Sequence, residues 1–193
     1  MFQIRIHGRG GQGVVTAAEL LSVAAFTDGL FAQAFPSFGS ERTGAPVVAY
    51  CRIDQKKIRL REPISTPDAI IIQDSTLLNS VEVFAGIKPD GFILVNTKRT
   101  FEELGLDEFV SNRSSMRTLI LPASEIALKH IGRPMPNAAL LGGLAAATDW
   151  IRIKSLTQAV SERFPEKIAD ANIKAAEEAY EFVKNALQEK VNA

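Results

Sequence analysis

The sequence predicts an α/β chain, a single Rossmann-like domain over residues 1–193 with a mostly parallel sheet, a β-hairpin insertion and helices on both faces. Three observations predict it. Phe2, Ile4 and Ile6 alternate with Gln3, Arg5 and His7, and after a glycine-rich segment the apolar period changes from two to helical spacing. Two short continuous apolar runs, Ala69–Ile72 and Phe92–Val95, each come after a turn, as buried parallel strands do. No repeat, low-complexity tract or linker divides the chain, and 193 residues lie within the range of one domain.

The first strand runs into a turn over Gly8–Gly13. From Gln12 a helix is expected, with Val15, Ala18, Leu20, Leu21 and Ala25 on one broad face and Asp28–Gly29 as its stop. Leu30–Phe35 reads as a second strand, so the chain opens as the start of a parallel sheet. Pro36–Pro46 is a loop. Val47–Ile53 and Lys57–Leu60 read as two strands around a turn at Asp54–Gln55, a hairpin. Between the two apolar runs, Leu77, Leu78 and Val81 suggest a short helix, and Thr118–Leu121 is the last strand. From Ser124 the chain turns helical. Asn137 is expected to cap a helix of small residues reaching toward Ile151, too short for a bilayer, which takes ~20 residues. The final helix carries the stripe Ile168, Asn172, Ala175, Ala179, Phe182 and Ala186, whose spacing buries one face.

Composition excludes several function classes. Lys plus Arg and Asp plus Glu number 22 each, so no net field gathers nucleic acid or an anionic membrane. The one short basic cluster, Lys56, Lys57, Arg59 and Arg61, reads as the wet face of a strand. A single cysteine, Cys51, cannot form an internal disulfide or a four-thiolate zinc or iron–sulfur site, and it is expected in a buried strand. A free thiol fits a reducing compartment, and the opening MFQIRI does not resemble a signal peptide, so the expected location is the cytoplasm. No His, Asp and Glu cluster has metal-ligand spacing.

Two loops are candidates for chemistry. In His7-Gly8-Arg9-Gly10-Gly11-Gln12-Gly13, the residues Gly8, Gly10 and Gly13 satisfy a loose dinucleotide fingerprint between a strand and a helix. Such a loop brings N–H groups to a helix start, where an anion is favoured, although glycines also serve a tight turn and close packing. The acid that would hold a ribose at the end of the second strand is missing from Leu30–Phe35, and Asp28 comes too early. The second loop sets Ser40, Glu41, Arg42 and Thr43 beside Gly44, and is expected to sit next to the first, at the strand ends where open α/β sheets bind ligands. Glu41 and Arg42 read equally as a solvated pair. His7 is either turned to a ligand or an ordinary satisfied histidine; His130 reads as surface or helix end. Asp74 and the Asn96–Thr97 pair are read first as caps for the next helix and second as subunit contacts.

The segments HGRGGQG at 7–13, FPSFGSERTGAPV at 35–47, PDAIIIQDSTLL at 67–78, GFILVNT at 91–97 and PNAALLGGL at 136–144 occur together in this order. The chain, from Ile4 to about Tyr180, resembles the gamma subunit of 2-oxoacid:ferredoxin oxidoreductases, above all the pyruvate type. Ala138 stands where that family often has Thr, and Gly143 where Ala is common. The resemblance implies a share in converting pyruvate, coenzyme A and oxidised ferredoxin to acetyl-CoA, carbon dioxide and reduced ferredoxin. It places thiamine diphosphate and [4Fe-4S] clusters on partner subunits of alpha, beta and delta type, with no cofactor on this chain alone and none of the thiamine-binding GDG type of segment in it. The isolated chain is then inert. Gly8, Gly10, Gly11, Gln12 and Gly13 with Ser40, Glu41, Arg42, Thr43 and Gly44 would form an edge that faces those partners and shapes substrate or coenzyme A access. Arg42-Thr43-Gly44-Ala45, in place of an Arg-Gly-Gly element, favours pyruvate, with 2-oxoisovalerate second. The rival readings are a self-sufficient NAD(P)-binding oxidoreductase and a pure assembly scaffold, and an orphaned interface makes a homodimer of the isolated chain plausible.

Overall fold

Apolar alternation at the N-terminus becomes the central strand of a six-stranded sheet of order β2-β3-β1-β4-β5-β6. The computed structural model describes residues 1–37 and 43–192. Strand β1 (Phe2–Arg9) leads into helix α1 (Val14–Thr27), and then come β2 (Phe31–Pro36) and β3 (Pro46–Asp54). Beyond them lie β4 (Ala69–Ile72), β5 (Phe92–Asn96), helix α2 (Asp107–Ser111) and β6 (Thr118–Leu121). The chain finishes with helices α3 (Ala123–Ile131), α4 (Asn137–Ala147), α5 (Ile153–Arg163) and α6 (Glu166–Asn192). No helix among the described residues is long and apolar enough to cross a membrane.

The strands β1, β4, β5 and β6 pair in parallel, in register from Ile4↔Ala69 through Asn96↔Leu121. On the other side the expectation needs correction. The hairpin partner of β3 is β2, not residues 57–60, and β3 runs antiparallel between β2 and β1. Lys57–Leu60 forms no strand: Lys57, Arg59 and Leu60 are exposed, so the alternation there has no core to bury against. The second strand therefore points the same way as β1 without touching it. Pro36 fits at this edge because Ser37 donates its N–H to Val48, which turns the neighbouring residue's nitrogen outward, where no ladder bond is lost.

Two cores flank the sheet. Ile4, Ile6, Ala49, Cys51, Ile71 and Leu94 face α1, α3, α4, α5 and α6 in the larger one. On the opposite face Ile70, Ile72, Ile93 and Val95 meet Leu77, Val83 and the partly buried Phe101 and Phe109, so that side is covered by a 3-10 turn (Ser75–Asn79), α2 and loops. Next to this smaller core the face of β1 and β3 is polar yet buried. Arg5 donates to the carbonyls of Val83 at 3.0 Å and Ala85 at 2.5 Å, and Arg52 to that of Glu62 at 2.6 Å and to Gln3 Oε1 at 3.1 Å.

The small residues of α4 let α6 lie close against it. A Cβ on Gly142 would collide with the Ala176 carbonyl, which explains why the buried line of α6 is Ala169, Asn172, Ala175, Ala176, Ala179 and Val183. Of the predicted stripe, Asn172, Ala175 and Ala179 are buried, but Ile168 and Phe182 are exposed, because alanines, not large side chains, permit this approach. Asp28, at the C-terminal end of α1, accepts from the N–H of Arg152 at 2.9 Å and from its Nε at 2.6 Å, and also from the Ser155 hydroxyl. Its carboxylate thereby holds the first turn of α5.

Candidate functional site: the two-loop edge

Strand β1 extends through Arg9, so Gly8 belongs to the strand, and the tight turn is confined to residues between it and Val14. Gly13 caps α1 with φ 72°, and a Cβ there would lie 2.7 Å from Asn137 Nδ2. Only glycine fits both the left-handed backbone and this contact. Asn137 is not the expected cap. It occupies the first turn of α4 after Pro136, is buried, and its Oδ1 accepts from the N–H of Ala138 at 2.9 Å.

The structure brings the glycine loop to the described part of the second loop. Gly10 donates its N–H to Ala45 at 2.9 Å, Gly44 donates to Gly10 at 3.1 Å, and Gly10 and Thr43 form a parallel bridge. Ser40, Glu41 and Arg42 lie outside the described residues. The edge lies at the carboxyl ends of β1 and β4, where the order of strands reverses direction, the place where open sheets bind ligands. Hollows lie on both sides of the loop. One, of about 330 Å³, is lined by Gly10, Gly11, Gly13, Val14, Val47 and Met135. The other, of about 360 Å³, is lined by Gln12, Gln73, Asp74, Asn96, Lys98 and Ser124.

Polar side chains brace the loop from beneath. Arg9 Nε donates to Asp74 Oδ2 at 3.1 Å, Nη2 to the Thr76 hydroxyl at 2.8 Å and Nη1 to the Gly44 carbonyl at 3.0 Å. Gln12 accepts from the Arg9 N–H at 2.8 Å and donates to Asp74 Oδ2 at 3.0 Å. Asp74 also caps the 3-10 turn by accepting from the Thr76 N–H at 3.0 Å, as expected of a cap. Burial pushes the Asp74 carboxyl up, but hydrogen bonds from Thr76 and Gln12 and the charge of Arg9 outweigh it and leave it below the ordinary carboxylate range. With Arg9 and Gln12 spent on these partners, an anion beside this loop meets backbone N–H groups at the start of α1.

Other candidates resolve as scaffold. His7 lies within β1, two residues before its end, and accepts from Arg5 Nε at 3.0 Å, so it is a satisfied buried histidine. Burial and then the Arg5 charge bring its pKa down to about 4. His130 meets Glu178 at 2.6 Å on α6. Asn96 Oδ1 accepts from the Ser124 N–H at 3.0 Å and so caps the start of α3. Asp28, engaged with α5, is not available to a ribose. Sequence reasoning missed Arg9 as a strut. Its partners are 65, 67 and 35 residues away, and only its place inside the glycine motif hinted at it. Cys51 is buried without another thiol in the chain, and among the described residues no group of His, Cys, Asp and Glu could hold a metal ion.

The fold and edge define an α/β domain with a glycine loop at the switch point of its sheet. Comparison with known proteins takes this further. The family model described as pyruvate ferredoxin/flavodoxin oxidoreductase matches residues 3–182. The pyruvate/ketoisovalerate oxidoreductases common subunit gamma of Pyrococcus abyssi is 45% identical over 181 residues, covering 94% of this chain and 96% of that protein. Pyruvate synthase subunit PorC of Methanocaldococcus jannaschii is 48% identical over 180 residues, covering 93% and 96%. The crystal structure of pyruvate oxidoreductase subunit PORC (EC 1.2.7.1) from Thermotoga maritima superposes with a TM-score of 0.77 at 36% identity, covering 93% of this chain and 95% of that one. The chain belongs to the pyruvate ferredoxin/flavodoxin oxidoreductase family, and within it to the gamma-subunit type.

Proposed function

We propose that this gamma subunit works in a complex that oxidatively decarboxylates pyruvate with coenzyme A and reduces ferredoxin, with 2-oxoisovalerate as the alternative 2-oxoacid. Thiamine diphosphate and [4Fe-4S] clusters belong to partner subunits of alpha, beta and delta type in this reading, and the complex is cytoplasmic. The chain is one domain, inert alone. Its contribution is the two-loop edge, which faces the partners and shapes access of coenzyme A. The observation that carries this is the lacing of Gly10 to Thr43, Gly44 and Ala45, which makes one surface of the two loops beside the N-terminus of α1. An anionic thioester-forming cosubstrate suits backbone donors at a helix start.

The test is hydrogen exchange in the assembled complex with and without coenzyme A, alongside pyruvate-dependent viologen reduction. Coenzyme A is expected to slow exchange over residues 8–13 and 43–45, and Arg42→Ala to raise its KM. Unchanged exchange in both segments with unchanged kinetics overturns the access role and leaves an assembly scaffold.

A further inference from the structure

Four hydrogen bonds at the edge converge on one carboxylate. Asp74 Oδ2 takes Arg9 Nε at 3.1 Å and Gln12 Nε2 at 3.0 Å, while Oδ1 takes the N–H of Thr76 at 3.0 Å and its hydroxyl at 2.6 Å. The Thr76 oxygen, its proton directed to Asp74, accepts from Arg9 Nη2 at 2.8 Å, which leaves Nη1 aimed at the Gly44 carbonyl at 3.0 Å. The guanidinium is thus a strut between the 3-10 turn after β4 and the second loop. A planar fork holds such a span where a lysine, a single point of charge, does not.

We propose that Asp74 is a positioning residue for coenzyme A entry, fixing through Arg9 the spacing of the glycine loop from the second loop. This rests on the reading of the edge given above. Both carboxylate oxygens face only donors, so the isosteric amide fails in either orientation: its NH2 meets the Arg9 and Gln12 donors or the Thr76 donors. Charge-assisted hydrogen bonds are also the strong ones. The strut therefore depends on the carboxylate itself and not on the shape of the side chain.

The experiment uses Asp74→Asn in the assembled oxidoreductase, with Arg9→Lys as a second variant that keeps the positive charge. Without coenzyme A, exchange over residues 9–13 and 43–45 is expected to speed up while β4 and β5 keep their protection. The KM for coenzyme A is expected to rise about tenfold with kcat within about twofold and the KM for pyruvate unchanged, the pattern of lost binding geometry. The double variant is expected to be no worse than the worse single, since both break one strut. Faster exchange with an unchanged KM for coenzyme A overturns the positioning role and reduces Asp74 to a helix cap. Unchanged exchange in both variants overturns the strut. The two failures separate, because protection of the wild-type edge by coenzyme A tests the edge, and exchange without coenzyme A tests the strut.

Discussion

Arg5 and His7 stand two residues apart on one face of β1, and the guanidinium Nε donates to the imidazole Nε2 at 3.0 Å. The histidine must be neutral to accept. The unfolded chain takes up a proton near pH 6.5 that the folded chain refuses until about 4. Stability from this site is therefore fully present above pH 6.5 and falls as pH is lowered through that window, by up to about 3 kcal/mol. Urea midpoints measured across the window should show the slope, and His7→Gln, which keeps an acceptor and does not titrate, should flatten it. An unchanged slope would show that His7 is not its source.

Gly142→Ala should destabilise the fold although alanine is the better helix former. The added methyl meets the Ala176 carbonyl, a backbone atom that cannot move without shifting α6. Overpacking of about 1–3 kcal/mol is the expected net loss after the propensity gain of ~1 kcal/mol is absorbed. A lower denaturant midpoint with an unchanged slope would confirm it, and a higher midpoint would refute it.

Asp28→Ala removes the carboxylate that holds the Arg152 N–H and the Ser155 hydroxyl at the start of α5. A lost cap of this kind costs about 1–2 kcal/mol. Exchange should accelerate in α5 before it does in β1 or β4, and equal acceleration everywhere would contradict a local role.

Cys51 sits in β3 between two cross-strand neighbours, Ile4 and Ala34, and burial pushes its thiol up to about 12. Ellman's reagent should find no thiolate in the native chain at pH 8. Its rate of reaction should track urea unfolding, whereas a fast native reaction would place Cys51 at the surface.

Much of this architecture was legible in the sequence because local pattern and burial agree. The runs Ala69–Ile72 and Phe92–Val95 are buried on both faces, and β1 alternates between a helix-packed side and a polar one. The burial of that polar side was not legible. Arg5, His7 and Arg52 are all buried and bonded to loop carbonyls, to Gln3 or to one another, which no periodicity reveals. The antiparallel insertion of β3 was hidden for a related reason, since its partners Gln33 and Gln3 opposite Arg52 are set by pairing across the sheet. The centre of the α6 stripe was readable, whereas its large members Ile168 and Phe182 lie outside the buried line because close approach selects alanine over bulk. At the site, the glycine loop was readable as a motif and Asp74 as a cap. The link from Asp74 to Arg9 spans 65 residues and needed coordinates.

The glycine loop leaves the ribosome before α4 and α5 do, yet the side chain against Gly13 is Asn137, and the helix after the loop is tied at its far end to Arg152 and Ser155. Strands β1, β3 and β4 have all the partners they need among earlier residues, so a sheet is free to assemble on the nascent chain while the loop still lacks its wall. Completion of the edge is thus timed by the emergence of α4 and α5. The surface of the glycine loop is thus finished by residues from the far end of the sequence, and no fragment that stops before α4 can present it whole.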